Sequence, residues 1–204
     1  GERLVSKQTR KGLKALRPAN GCKGDMWLLG HVSDHTVPRR PLGSTIPHAM
    51  ATTTGQAKWD RRFMLLADQI STWSKDPSRG VGAVIVSDDR RICATGYNGL
   101  PVGIEDRPER LERPTKYDLI CHAEVNAIVQ CARNGTSTIG STIYSTFFPC
   151  NNCTLAIIQA GVQRVVSWAP VDGDEHWEAS IATSRNLLDE VGIQQTVLKR
   201  RSDA

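Results

Sequence analysis

The chain has 204 residues, 39% hydrophobic and 23% charged, which suits one globular domain whose core needs no disulfide staples. The net charge of +5 hints at nucleic acid or an anionic membrane, but residues 1–49 hold nine Lys/Arg against three Asp/Glu, and 50–204 balance at −1. No apolar run approaches the ~20 residues of a membrane helix, "MWLLG" is too short for a secretory h-region, and six scattered cysteines suit free thiols in a reducing compartment, so a soluble, cytoplasmic chain is expected.

Residues 1–57 lack periodicity and are rich in Gly, Pro, Ser, Thr and basic side chains, as in "VPRRPLGSTIPHAMATTTG". That composition predicts a basic, disordered or loosely attached extension. Met50 reads as a natural start, with residues 1–49 as non-native sequence upstream of it; a transit peptide is the other reading. The folded domain is expected over 58–200. Trp59, Phe63, Leu66, Ile70 and Trp73 recur at helical spacing and predict an amphipathic helix over 58–74. "GVGAVIV" (80–86) reads as a buried strand, "DDR" (88–90) as a turn and "RICATGY" (91–97) as a second strand.

The charged, proline-punctuated stretch 101–118 reads as a long loop, a kind of segment that is usually functional in a compact domain. A helix over 121–134 follows, stopped by Gly135. Next come a strand at 141–147, a helix at 150–160 stopped by Gly161, and a strand at 163–168. A helix near 176–190, stopped by Gly192, and a strand at 193–198 complete the order α-β-β-α-β-α-β-α-β. That order predicts an α/β fold with a mixed sheet sandwiched by helices.

Two of these helices begin with chemistry. Cys150 and Cys153, in "FFPCNNC", are one helical turn apart, and a helix N-terminus favours the thiolates that a metal requires. Pro149 is compatible with the helix entrance. Alone, C-x-x-C at a strand–helix junction also suits a thiol-redox pair. His122, in "ICHAEVNAI", tips the balance, because one imidazole and two thiolates leave a tetrahedral zinc with one position for water. Cys121 is poorly placed as a fourth ligand, since adjacent helical residues point about 100° apart. His31, His35 and His48 lie in the extension, and His176 is remote in sequence. Glu124 is unlike a ligand at this spacing but is well placed to take a proton from water on the metal. Its bland role would be an acidic residue at a helix N-terminus.

H-x-E followed by P-C-x-x-C is the zinc deaminase signature. The blocks "WSKDPSRGVGAVIV" (73–86), "GYNGLPVGIED" (96–106), "KYDLICHAEVNAI" (116–128) and "STFFPCNNCTLAIIQAGVQRVV" (145–166) resemble the deoxycytidylate (dCMP) deaminase family over roughly 59–198. The resemblance implies the three-layer α-β-α cytidine-deaminase fold around a five-stranded sheet. It implies one zinc per subunit on His122, Cys150 and Cys153, with zinc-bound hydroxide attacking cytosine C4 and Glu124 shuttling protons. The products would be ammonia and dUMP, the latter supplying thymidylate synthesis. It places the backbone at Ala123 against the pyrimidine edge and Asn98 at the sugar; the bland role of Asn98 is a turn residue before Gly99.

Arg133, in "CARNG", matches the family as a phosphate contact, which the resemblance places in reach of a neighbouring subunit of a dimer or hexamer, and would otherwise compensate a helix dipole. Arg107, Arg110 and Arg113 in the long loop are its rivals. "GYNGLPVGIED" also resembles the loop through which relatives respond to dCTP and dTTP, although "WAPVDGDEHW" departs from members that carry a tyrosine there. The other reading is an editing deaminase that holds tRNA or single-stranded DNA with the basic extension. The neutral body argues against it, because such grips use Lys/Arg–phosphate contacts.

Overall fold

The computed structural model describes residues 53–171 and 177–200, all within the unit Ala49–Ala204. Of the expected extension over 1–57, residues 1–52 lie outside the described residues, with the start expected at Met50 and His31, His35 and His48. His176 lies outside them as well, whereas residues 53–57 form the beginning of a helix rather than a loose segment. Among those described, the order is α1 (Thr53–Ser71), β1 (Gly82–Val86), β2 (Ile92–Tyr97), α2 (Pro108–Leu111), α3 (Lys116–Leu119) and α4 (Ala123–Arg133). Then follow β3 (Thr142–Ser145), α5 (Asn151–Gln159), β4 (Arg164–Trp168), α6 (Glu178–Glu190) and β5 (Gln194–Leu198). No described helix is long and apolar enough to cross a membrane.

The strands form one sheet in the order β2-β1-β3-β4-β5. β1 pairs antiparallel with β2 and β3, whereas β3–β4 and β4–β5 are parallel, so the sheet is mixed as expected. All five residues of β1 are buried because both faces of the sheet are covered. On one face, Val84, Val86, Tyr144, Val166 and Trp168 pack with Phe63, Met64, Ala67 and Ile70 of α1. On the other, Ala83, Ile85, Ile143 and Val165 pack with Ala123 and Ala127 of α4, Ile157 of α5, and Ile181 and Leu188 of α6. The period-two alternation of β1 thus feeds two cores, and the three-layer α-β-α arrangement follows from it.

Three departures from the sequence reading stand out beyond one- or two-residue shifts at strand and helix ends. α1 begins at Thr53 rather than 58 and ends at Ser71 rather than 74, where a turn led by Thr72 and Trp73 takes over. The stretch 101–118 carries the single-turn helices α2 and α3. The helix expected from 121 begins at Ala123, because Cys121 is drawn into a backbone bridge with Gly99: each N–H donates to the other's carbonyl, at 2.9 and 3.1 Å. Cys121 is therefore extended rather than helical, so the helical-angle reason for excluding it as a ligand does not hold; the bridge positions it instead.

One glycine sets the depth of the site. A Cβ on Gly96 in β2 would lie 2.3 Å from the carbonyl oxygen of Ala123 and 2.5 Å from the amide nitrogen of Ala127. Only a bare backbone lets α4 lie this close to β2, which seats the start of α4 against the sheet.

Candidate active site

Two helix N-termini converge on the site. His122 is the residue before the first turn of α4, in extended conformation (φ −72°, ψ 154°). Cys150 holds the same position before α5 (φ −72°, ψ 172°), and Cys153 lies within its first turn. Extended backbone at these two residues turns their side chains toward a common point while the helices run on into the core. His122 Nδ1 lies 3.4 Å from Cys150 Sγ and 3.3 Å from Cys153 Sγ, and one ligand atom from each residue lies within 4.8 Å of the others. A tetrahedral zinc with ordinary Zn–N and Zn–S lengths would set nitrogen and sulfur about 3.5 Å apart. The donor set therefore fits one small, soft cation.

The titration of these groups supports the same fit. Hydrogen bonds from the Cys153 thiol, His122 and the Cys153 amide hold Cys150 down at about 4, against the effect of burial. The Cys153 thiol is pushed up, first by its bond to Cys150 and then by burial and the Glu124 carboxylate. His122 is raised chiefly by the Cys150 thiolate. Two sulfurs, a carboxylate and an imidazole thus compete for protons within one small cluster, and a divalent cation would relieve that competition.

Glu124 is 3% exposed. Burial raises its carboxyl above the ordinary range, against hydrogen bonds from its own amide and from Ser145. Ser145 Oγ donates to Glu124 Oε1 at 2.8 Å, and Glu124 Oε2 lies 3.4 Å from Cys153 Sγ. A carboxyl raised by burial and set beside a metal-type donor set is suited to accept and return a proton.

His122, Cys150 and Glu124 line the floor of a cleft of about 360 Å³, and Cys153, buried against His122 and Glu124, completes the donor set behind it. Ala123, Asn98, Phe147, Phe148 and Trp177 stand around the cleft, and Asp76, Lys116 and Arg113 come in from neighbouring loops. Of the residues singled out in the sequence, the structure brings His122, Glu124, Cys150, Cys153, Ala123 and Asn98 together. Arg133 is not among the residues around this cleft; it is exposed at the last turn of α4, roughly 15 Å along the axis from its start. Among the loop arginines, Arg113 lines the cleft, whereas Arg107 pairs with Glu105 at 2.7 Å and Arg110 binds the Glu105 carbonyl at 2.9 Å. Asp76, Lys116 and Ser145 were not singled out by sequence reasoning, since no local spacing links them to the metal-type motif.

Comparison with known proteins gives the same picture. The family described as "Cytidine and deoxycytidylate deaminase zinc-binding region" matches residues 57–169. A deaminase of Aliivibrio fischeri from the luxG 3′ region, itself uncharacterised, is 38% identical over 145 residues, covering 70% of this chain and 95% of that one. The human deoxycytidylate deaminase is 38% identical over 137 residues, covering 64% and 74%. Among solved structures, the dCMP deaminase of cyanophage S-TIM5 in complex with dCMP and dUMP is similar at a TM-score of 0.58 and 26% identity, covering 72% of this chain and all of that one (100%).

Proposed function

The chain belongs to the cytidine and deoxycytidylate deaminase family, and from that premise we propose that it is a zinc-dependent hydrolase converting dCMP and water to dUMP and ammonia. The observation that carries this reading is the cluster at the floor of the cleft: one imidazole and two thiols at tetrahedral spacing, with a buried carboxyl beside them. His122, Cys150 and Cys153 would hold the zinc. Bound there, zinc supplies a Lewis acid that makes water a competent nucleophile near neutral pH.

The chain's own residues do the rest. Glu124 takes a proton from the attacking water and delivers it to ring N3 of the cytosine. It then carries the second proton to the amine leaving C4, so the C–N bond breaks as C4 becomes a carbonyl. The Ser145 hydroxyl holds Oε1 of that carboxyl through its hydrogen bond. Ala123, fully buried at the start of α4, brings backbone to the pyrimidine edge, while Phe147, Phe148 and Trp177 keep water from the ring. Asn98 stands at the sugar, and Arg113 is the cleft-lining arginine suited to the 5′-phosphate. Arg133, outside its own cleft, is assigned to a neighbouring subunit in a homo-oligomer. Regulation by dCTP or dTTP, one zinc per subunit, thymidylate supply and a catalytic domain over 58–200, extended at its front by the first turn of α1 from Thr53, complete the reading.

A substrate panel tests it. dCMP, CMP, deoxycytidine and a cytosine-containing single-stranded oligonucleotide are offered to the zinc-loaded chain. Turnover of dCMP well above the other three is expected; preference for the oligonucleotide would replace this reading with an editing enzyme.

A further inference from the structure

Three groups on the cleft wall lie outside the chemistry of its floor: Asp76, Lys116 and the amide of Asn98. Lys116 Nζ donates to both oxygens of Asp76, at 2.8 and 3.0 Å, and both side chains are only 8% exposed. This buried pair pins α3, in the loop between β2 and α4, to the segment ahead of β1. Desolvating two charges offsets much of their attraction, so such a pair contributes little net stability. Its geometry points to a positioning task instead.

Asp76 also accepts from the Ser78 amide at 2.8 Å and from Asn98 Nδ2 at 3.3 Å. Asn98 is 6% exposed; its Nδ2 also donates to the Arg79 carbonyl at 2.9 Å, and its Oδ1 accepts from the Val81 amide at 2.7 Å. The Val81 N–H needs an oxygen, while the Arg79 carbonyl and the Asp76 carboxylate need a donor, so the orientation of the Asn98 amide is determined. Among the described residues both amide hydrogens are engaged, and one lone pair of Oδ1 remains. A side chain that could offer donor and acceptor therefore offers the cleft an acceptor alone.

We propose that Asp76 and Lys116 are positioning residues that lock Asn98 with only its acceptor free, so that it selects a substrate sugar carrying a hydroxyl donor. The inference rests on the dCMP reading and deepens it. A locked acceptor has nothing to give a phosphate or a carbonyl, whereas a 3′-hydroxyl can donate to it. Without Asp76 one amide hydrogen is released, the amide can rotate, and the demand for a hydroxyl relaxes.

The test compares kcat and KM for dCMP and for 2′,3′-dideoxycytidine 5′-monophosphate, using the zinc-loaded full chain. Wild type should favour dCMP in kcat/KM by about tenfold or more, the effect of one hydrogen bond to a buried acceptor. The double variant Asp76→Leu/Lys116→Met removes both charges together with the oxygen that accepts from Asn98, and leaves neither charge unpaired. It should keep its zinc, hold kcat for dCMP within about threefold, raise KM, and bring the two substrates close to parity. Lys116→Arg, which keeps the charge, should keep the preference. Should the double variant fail to fold, Asp76→Glu shifts the carboxylate without changing charge and should relax the preference in the same way. Wild-type preference and KM in these Asp76 variants overturn the inference alone, whereas wild-type protein inert on dCMP overturns the functional reading beneath it.

Discussion

At the residue scale the proposed proton transfers depend on Glu124. Glu124→Gln keeps the size of the side chain and the hydrogen bond from Ser145 but cannot take a proton from water. Zinc content should stay stoichiometric by metal analysis while kcat falls by roughly 10²–10⁴-fold, the usual contribution of a positioned acid–base group. Near-normal turnover would remove Glu124 from its role. Cys153→Ala should instead lower zinc content itself, because it deletes one of the three candidate ligands. These residues were legible in the sequence because H-x-E and C-x-x-C carry their geometry along the chain: a helix start fixes the relation of neighbours one turn apart. Asp76 and Lys116 were not legible, since they are forty positions apart and only the folded loop brings them together. Arg113 could be named as one of several loop arginines but not chosen among them, because choice depends on which partners the others find.

At the element scale the site depends on how α4 and α5 are laid against the sheet. Gly96 permits the close approach of α4, and a methyl group there would collide with helix backbone rather than with a flexible side-chain end. Gly96→Ala should therefore lower stability by about 1–3 kcal/mol and weaken zinc retention as well, both measurable on one preparation by denaturation and metal analysis. Unchanged zinc retention would show that the start of α4 does not depend on this contact. Hydrophobic periodicity made nearly all the helices and strands legible, and both cores follow from alternation along β1 and β3. Their ends were less so: the bridge between Cys121 and Gly99 is a long-range contact, and it, rather than local propensity, decides where α4 starts.

At the scale of the whole molecule, a buried polar network ties α1 to the sheet. Asp60 receives both guanidinium nitrogens of Arg164 at 2.7 Å and the Tyr144 hydroxyl at 2.9 Å. Burial alone would raise the Asp60 carboxyl, but the bonds from Arg164, Gln56 and Tyr144 outweigh it and leave the group below its ordinary 3.8. A carboxyl lowered on folding contributes its full stability above the ordinary value and loses it as pH falls through the folded one. Asp60→Asn should thus cost about 3–5 kcal/mol at neutral pH, by leaving Arg164 without its charge partner. It should also flatten the acid limb of the stability profile below about pH 4. An unchanged acid limb would assign acid lability to other groups.

The most direct test of the central claim is dUMP release from dCMP by the full chain, first stripped of metal and then reloaded with zinc. The expected outcome is no turnover without metal, and restoration by one zinc per chain with dUMP and ammonia formed in equal amounts. Equal turnover without zinc, or none with it, would contradict that claim.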